Sequence, residues 1–114
     1  MSVGIAKNWG SDGITSNALN PGAIAIGLEK HTGGLPTPEH LRKTIEQGAA
    51  TSVLLAASPL VQGISGQYFD DCREAPVVDE RGEGPFKGVA RYAVDAENAT
   101  RLSETAKQML GLPL

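Results

Sequence analysis

The residues of this chain that could carry out chemistry are few and stand apart from one another. The two histidines, His31 and His40, lie nine positions apart in a segment rich in glycine and proline. With Glu29 and Glu39 beside them they could hold a metal ion, but the spacing matches no common ligand pattern. Solvated loop residues are the simpler interpretation, so we predict no metal site here.

The acidic, thiol and hydroxyl groups are equally isolated. Asp70, Asp71 and Glu74 could form a cation site, although a solvated acidic turn after a strand is the commoner arrangement. Cys72 is the only cysteine, which excludes an intramolecular disulfide, and we interpret it as structurally neutral. Gly63-Ile64-Ser65-Gly66 misses the Gly-x-Ser-x-Gly nucleophile motif, because its second glycine comes one position too early. We therefore predict no catalytic residue in this set.

The composition limits the classes of partner. The net charge is −3, and no cluster of Lys and Arg offers a footprint for nucleic acid. The N-terminus does not have the pattern of a signal peptide, and no apolar run approaches the roughly 18 residues of a membrane span. We expect a cytoplasmic protein without nucleic-acid or membrane partners.

Two strands joined by a helix are predicted to organise the chain. The first strand covers 14–19 and ends at Asn20-Pro21-Gly22, because proline lacks the N–H that a strand needs. The second covers 66–69. Between them, a helix over 48–58 follows a capping box, is apolar around most of its surface, and should be buried against a sheet. A helical crossover implies that the strands are parallel.

The remaining segments are predicted more simply. Residues 1–11 should form the end of a helix, and 72–94 an irregular, charged excursion. Asp95 should cap a last helix over 95–110, with Glu97 and Arg101 as an ion pair one turn apart.

The end of the first strand carries a resemblance to a known family. Residues 12–24, Asp-Gly-Ile-Thr-Ser-Asn-Ala-Leu-Asn-Pro-Gly-Ala-Ile, resemble the sixth strand and following loop of short-chain dehydrogenases/reductases, especially the retinol-dehydrogenase-like and WW-domain-oxidoreductase-like branch. The resemblance continues, more weakly, to about Pro76. It implies that 1–114 is a single C-terminal segment with an α/β, partial Rossmann-like fold. That fold would consist of two parallel strands with a crossover helix and a C-terminal helix, completed by oligomerisation.

The resemblance also implies two groups of site residues. The loop after the sixth strand borders the nicotinamide of NAD or NADP in this family, which assigns cofactor-binding positions to Asn20, Pro21, Gly22, Ala23, Ile24 and Ile26. A Thr usually stands where this chain has Ile26 and hydrogen-bonds the carboxamide, which Ile26 cannot do. The simpler alternative is that Pro-Gly only ends a strand. Residues 28–43 correspond to the substrate-side loop, with Leu28, His31 and Leu35 as lid residues, although a flexible connector is the alternative.

The catalytic features of the family are missing from these 114 residues. No glycine-rich pyrophosphate turn occurs, and no Tyr stands four residues before a Lys, since Cys72 follows Tyr68 by four and Ala96 follows Tyr92 by four. In the family, the helix at 1–11 would be the tail of the one that carries this pair. We therefore expect the chain alone to be inactive, to bind no cofactor tightly, and to meet a small-molecule substrate only if the missing half is supplied.

Two functions follow from these observations. The chain is either a C-terminal fragment of an NAD(P)-dependent oxidoreductase, carrying the lid and one wall of the nicotinamide pocket, or a non-catalytic oligomerisation or binding module derived from such an enzyme. In both cases the unpaired edge of the first strand favours a homo-oligomer.

Overall fold

The computed structural model describes residues 1–80, 82 and 88–113, and helices alternate with short strands along them. Single 3-10 turns cover Gly10–Asp12, Leu28–His31, Glu39–Leu41, Pro59–Val61 and Arg91–Ala93. The helices and strands are, in chain order, α1 (Ser2–Trp9), β1 (Ala18–Asn20), α2 (Ile45–Ala57), β2 (Tyr68–Asp70), β3 (Arg73–Glu74), β4 (Val77–Val78), β5 (Val89–Ala90) and α3 (Ala96–Met109).

The main sheet has the order β1-β2-β3, and β1 and β2 are parallel, with Leu19 opposite Phe69. The predicted parallel pair with a helical crossover is therefore confirmed. The antiparallel β3 follows β2 through a turn in which Asp71 and Cys72 have φ angles of 50° and 58°. Two consecutive left-handed residues are the geometry that best matches the twist of a tight hairpin.

The first strand is shorter than predicted, because it begins at Ala18 and not at residue 14. In the residues just before β1, hydrogen bonds to side chains take the place of backbone hydrogen bonds between strands. The Ser65 hydroxyl accepts a hydrogen bond from the Ser16 N–H, and the Asn17 side chain bonds the carbonyl of Ile64 and the N–H of Gln67. Serine and asparagine offer the backbone such alternatives to a strand.

Helix α2 begins with the predicted capping box. Thr44 accepts a hydrogen bond from the Gln47 N–H, and the Gln47 side chain accepts one from the Thr44 N–H. The helix therefore starts at Ile45, three residues before the predicted Gly48. Only Gly48 and Thr51 of α2 are buried, so the helix, predicted to be buried against a sheet, is covered on a narrow part of its surface. Three-residue strands cover a single narrow face of it.

Residues 72–94, expected to be irregular, contain β3, β4 and β5 within their described part, and β4 and β5 form a separate parallel pair. Strands of two residues are too short to show an alternating pattern in the sequence. An exposed ion pair joins Asp79 to Arg91 beside this pair, at 2.7 Å. It lowers the pKa of Asp79 and raises the pKa of Arg91.

The last helix, α3, is capped by Asp95 as predicted, since the carboxylate accepts a hydrogen bond from the Asn98 N–H at 2.7 Å. It packs on α1, where a Cβ added to Gly4 would lie 3.8 Å from Ala99 Cβ. Arg101 donates to the Asn98 side chain, and the described residues contain no ion pair between Glu97 and Arg101. No described helix is long and apolar enough to cross a membrane.

The described core is small. Its buried apolar side chains are those of Phe69, Ala75 and Val89. The accessible surface of 8455 Å² exceeds the value of about 6,000 Å² that is typical of a folded monomer of 11.9 kDa. Much apolar surface that a domain of this size would bury therefore faces solvent.

Candidate functional site

The loop after β1, residues 20–26, is named here the NPG loop after its first three residues. It leaves the carboxyl end of a parallel strand, the edge at which open α/β sheets bind ligands. The Asn20 carboxamide accepts a hydrogen bond from the Gly22 N–H at 3.0 Å, which closes a tight turn around Pro21. Gly22 has a φ of 83°, a conformation that side chains disfavour.

The segment 28–43, predicted to be the substrate-side loop, ends directly on the NPG loop. The Lys43 N–H donates to the Ala23 carbonyl at 2.8 Å, and Lys43 forms a parallel bridge with Ile24. The side chain of Lys43 passes over Gly22, since a Cβ at position 22 would lie 2.7 Å from Lys43 Cδ and 3.1 Å from Nζ. The close approach of the Lys43 side chain is thus a second reason for glycine at this position.

Helix α2 packs against the NPG loop at Gly48. A Cβ added to Gly48 would collide with Ile24 Cδ1 and would lie 3.6 Å from the Pro21 carbonyl oxygen. One turn further along, the Thr51 hydroxyl is 1% exposed and accepts a hydrogen bond from the Cys72 N–H at 3.1 Å. The β2–β3 turn and the NPG loop are therefore fixed to the same helix.

An ion pair connects these parts. Lys43 Nζ contacts Asp71 Oδ1, with side-chain exposures of 20% for Lys43 and 44% for Asp71. Asp71, considered at first as a candidate cation ligand, is thus the partner of a lysine. The described residues contain no group of three His, Cys, Asp or Glu side chains that could hold a metal ion.

The structure places the six predicted wall residues in one continuous loop with two kinds of surface. Gly22, Ala23 and Ile24 are half-buried against Lys43 and α2. The other three wall residues are exposed: Asn20, Pro21 and Ile26. Ile26 is 62% exposed, so it presents an apolar side chain to solvent.

The substrate-side segment, 28–43, is folded by local hydrogen bonds. The Glu29 carbonyl accepts from the N–H groups of Thr32 and Gly34. The Arg42 guanidinium donates to the carbonyls of Thr37 and Leu35, which ties the middle of the segment to its end.

The predicted lid residues of this segment do not converge on one point. His31 is exposed and Leu35 is half-buried, while the side chain of Leu28 lies outside the described part of the structure. Sequence reasoning missed Lys43, Thr51 and Arg42. Only the place of Lys43 just before the capping box could have drawn notice to it.

A second concave surface lies between α1 and α3. None of its lining residues belongs to the NPG loop. This groove of about 270 Å³ is almost wholly apolar and is named here the α1–α3 groove. Its principal lining residues are Met1, Ile5, Trp9, Leu102, Ala106 and Leu110.

Comparison with known proteins identifies the relatives of the chain. A probable oxidoreductase of Streptomyces lividans is 47% identical over 112 residues, which cover 87% of this chain and 37% of that protein. A short-chain dehydrogenase/reductase of Penicillium rubens is 34% identical over 120 residues, covering 98% of this chain and 35% of its own length. The chain is a relative of the short-chain dehydrogenases/reductases. These matches confirm the resemblance seen at residues 12–24.

The same similarity extends to a human protein. Retinol dehydrogenase 14 is 29% identical over 119 residues, covering 95% of this chain and 31% of that protein. The chain thus spans about a third of the length of the curated relatives it matches. No family model and no solved structure matches it.

Proposed function

We propose that this chain supplies one wall of the nicotinamide pocket and the substrate-side lid of an NAD(P)-dependent short-chain oxidoreductase. The observation that carries this proposal is the NPG loop, a tight turn at the carboxyl end of a parallel strand, held by α2 on one side and Lys43 on the other. The oxidoreductase and short-chain dehydrogenase/reductase relatives support it. The cytoplasm, where a lone thiol such as Cys72 stays reduced, is the proposed location.

The residues of the NPG loop fit one part of the cofactor better than another. Pro21 and Ile26 offer exposed apolar surface to the face of a nicotinamide ring, as pocket walls usually do. Ile26 has no donor or acceptor for the carboxamide. When bound, NAD or NADP would supply the hydride chemistry. The residues of this chain would orient the ring and exclude water from it, and tight binding by the chain alone is not expected.

The direct test is a titration of the ¹⁵N-labelled chain with NADH and NADPH, followed by amide chemical shifts. We expect saturable changes confined to residues 20–26. Ile26→Thr should strengthen binding about fivefold, because a hydroxyl adds one net hydrogen bond of about 1 kcal/mol. Leu60→Thr, at an exposed position away from the loop, should leave it unchanged. Absence of saturation, or shifts elsewhere only, would refute the proposal.

The alternative is a non-catalytic oligomerisation module, and the α1–α3 groove favours it. Leu102 and Leu110 stay more than half exposed beside Trp9, and the surplus surface of about 2,500 Å² would suit the larger class of subunit interfaces. A second copy of the chain, binding through the groove or through the free edge of β1, would bury that surface. Sedimentation equilibrium tests this: a homo-oligomer is expected, and a monomer at every concentration would exclude it.

A further inference from the structure

We propose that Lys43 is a positioning residue that holds the NPG loop in place, through its ion pair with Asp71. The inference rests on the proposed function for its meaning, because it concerns the wall of the same pocket. It is carried by contacts that Lys43 makes with two parts of the chain and by its position directly before a third.

The first part is the NPG loop itself. The Lys43 N–H bonds the Ala23 carbonyl at 2.8 Å, and the aliphatic part of the side chain lies over Gly22. These contacts fix the position of the loop just after its turn. Because Lys43 is also the last residue of the substrate-side segment, the lid and the wall meet at this residue.

The second part is the β2–β3 turn, which receives the ammonium group. Asp71 has a left-handed backbone with φ of 50°, and its neighbour Cys72 is held by the buried hydroxyl of Thr51. The carboxylate therefore projects from a turn that has little freedom to move. An ion pair to a fixed partner restrains a lysine far more than one to a mobile surface carboxylate.

The third part is α2, whose cap follows Lys43 directly. Thr44 closes the capping box, so the backbone on the C-terminal side of Lys43 is fixed by the start of the helix. Lys43 thus lies between a capped helix, a restrained turn and the loop. Its side chain is 20% exposed, against 70% for Arg91 in the other ion pair of the described residues, so solvent screens its charge less.

The test compares amide hydrogen exchange of the full 114-residue chain in four variants. Lys43→Met keeps the apolar part of the side chain over Gly22 and removes the charge. Asp71→Asn removes the carboxylate and keeps a residue that tolerates a left-handed backbone. Arg91→Met removes an exposed ion pair elsewhere and is the matched control, while Lys43→Arg should restore the contact with Asp71.

We expect exchange of the hydrogen-bonded amides of Gly22, Arg42 and Lys43 to become about fivefold faster in Lys43→Met and in Asp71→Asn. The double variant should be no faster than either single one, because both remove the same contact. Arg91→Met and Lys43→Arg should match the native chain. Unchanged exchange in Lys43→Met, or an equal change in Arg91→Met, would overturn the proposal.

The exchange measurement needs no cofactor, which separates this inference from the function on which it rests. If the native chain does not bind NADH or NADPH in the titration above, the proposed function fails, and the exchange pattern still decides whether Lys43 holds the loop. If the chain binds cofactor and the exchange pattern is unaffected by Lys43→Met, the function stands and the role of Lys43 is refuted.

Discussion

Gly22 is subject to two independent constraints, a left-handed backbone and the side chain of Lys43 above it. Gly22→Ala should therefore destabilise the chain by about 1–3 kcal/mol in urea denaturation. Gly33 is the matched control, because it has a similar φ of 81° and open space where a Cβ would be added. Gly33→Ala should lower the free energy of unfolding by less, since only the strain of a side chain at positive φ remains. Equal losses would show that the contact with Lys43 contributes nothing.

The sequence predicts one of these constraints and not the other. Proline followed by glycine after an apolar run indicates a turn, and a turn commonly requires a positive φ. The contact with Lys43 joins residues 21 positions apart and depends on the parallel bridge from Lys43 to Ile24. No local pattern encodes such a bridge. The turn at 20–22 was therefore predictable from the sequence, whereas the residue that covers it was not.

At the scale of elements, α2 and the NPG loop meet at Gly48. Alanine normally stabilises a helix by about 1 kcal/mol relative to glycine. Here Gly48→Ala should instead destabilise the chain by about 1–3 kcal/mol, because its Cβ collides with Ile24 Cδ1. Thermal unfolding followed by circular dichroism measures the change.

Two further variants make the Gly48 result specific to this contact. Ile24→Ala removes both atoms that would collide, Cδ1 and Cγ1, so Gly48→Ala should cost little in an Ile24→Ala background. Gly10→Ala, at a helical backbone position with no atom within 4 Å of the added Cβ, should stabilise the chain by up to about 1 kcal/mol. A stabilising Gly48→Ala would mean that α2 does not lie this close to the loop.

The strand β2 gives a pH dependence whose sign follows from one tyrosine. Burial raises the pKa of Tyr68, and the charge of Asp70 raises it further. The folded state therefore holds the phenol proton more tightly than the unfolded state, whose pKa is about 10. This contribution to the free energy of unfolding is fully present below a pH of about 10. It is lost as the pH rises through the pKa that Tyr68 has in the folded state.

The phenol of Tyr68 can be followed alone in Tyr92→Phe, which leaves it as the only tyrosine. Its tyrosinate absorbance should develop above the usual pH range. Tyr68→Phe should remove this part of the alkaline loss of stability in urea denaturation. A normal titration of Tyr68 would contradict its partial burial in β2.

The helix caps were the most predictable elements, and the short strands the least. Thr44 and Asp95 bond the N–H groups three residues ahead of them, an interaction contained in the local sequence. Strand β1, in contrast, begins at Ala18 because Ser65 and Asn17 make hydrogen bonds between segments about 50 residues apart. The strands β3, β4 and β5 are two residues long, and they are strands because their backbones pair with a neighbouring strand.

At the scale of the whole molecule, the radius of gyration is 16.5 Å, whereas about 13 Å is typical of a compact domain of this length. Together with the small core, this indicates that the described elements do not form a self-contained globule. The sequence anticipated an unpaired strand edge, and the structure does place β1 at the edge of its sheet. It gave no sign of the α1–α3 groove, because that surface arises only when two distant helices meet.

The single tryptophan can distinguish which of these two surfaces would join copies of the chain. Trp9 lines the α1–α3 groove and is 47% exposed, so burial of the groove should shift its emission to shorter wavelength as the protein concentration rises. Leu110→Gln should weaken the shift by placing a polar group in the groove. Leu60→Gln, at an exposed site outside the groove, is the control and should leave it unchanged.

If the chain associates while the emission of Trp9 stays constant, the groove is not the interface. The edge of β1 would then be the surface that pairs, because main-chain hydrogen bonds at a strand edge bury no tryptophan in this fold.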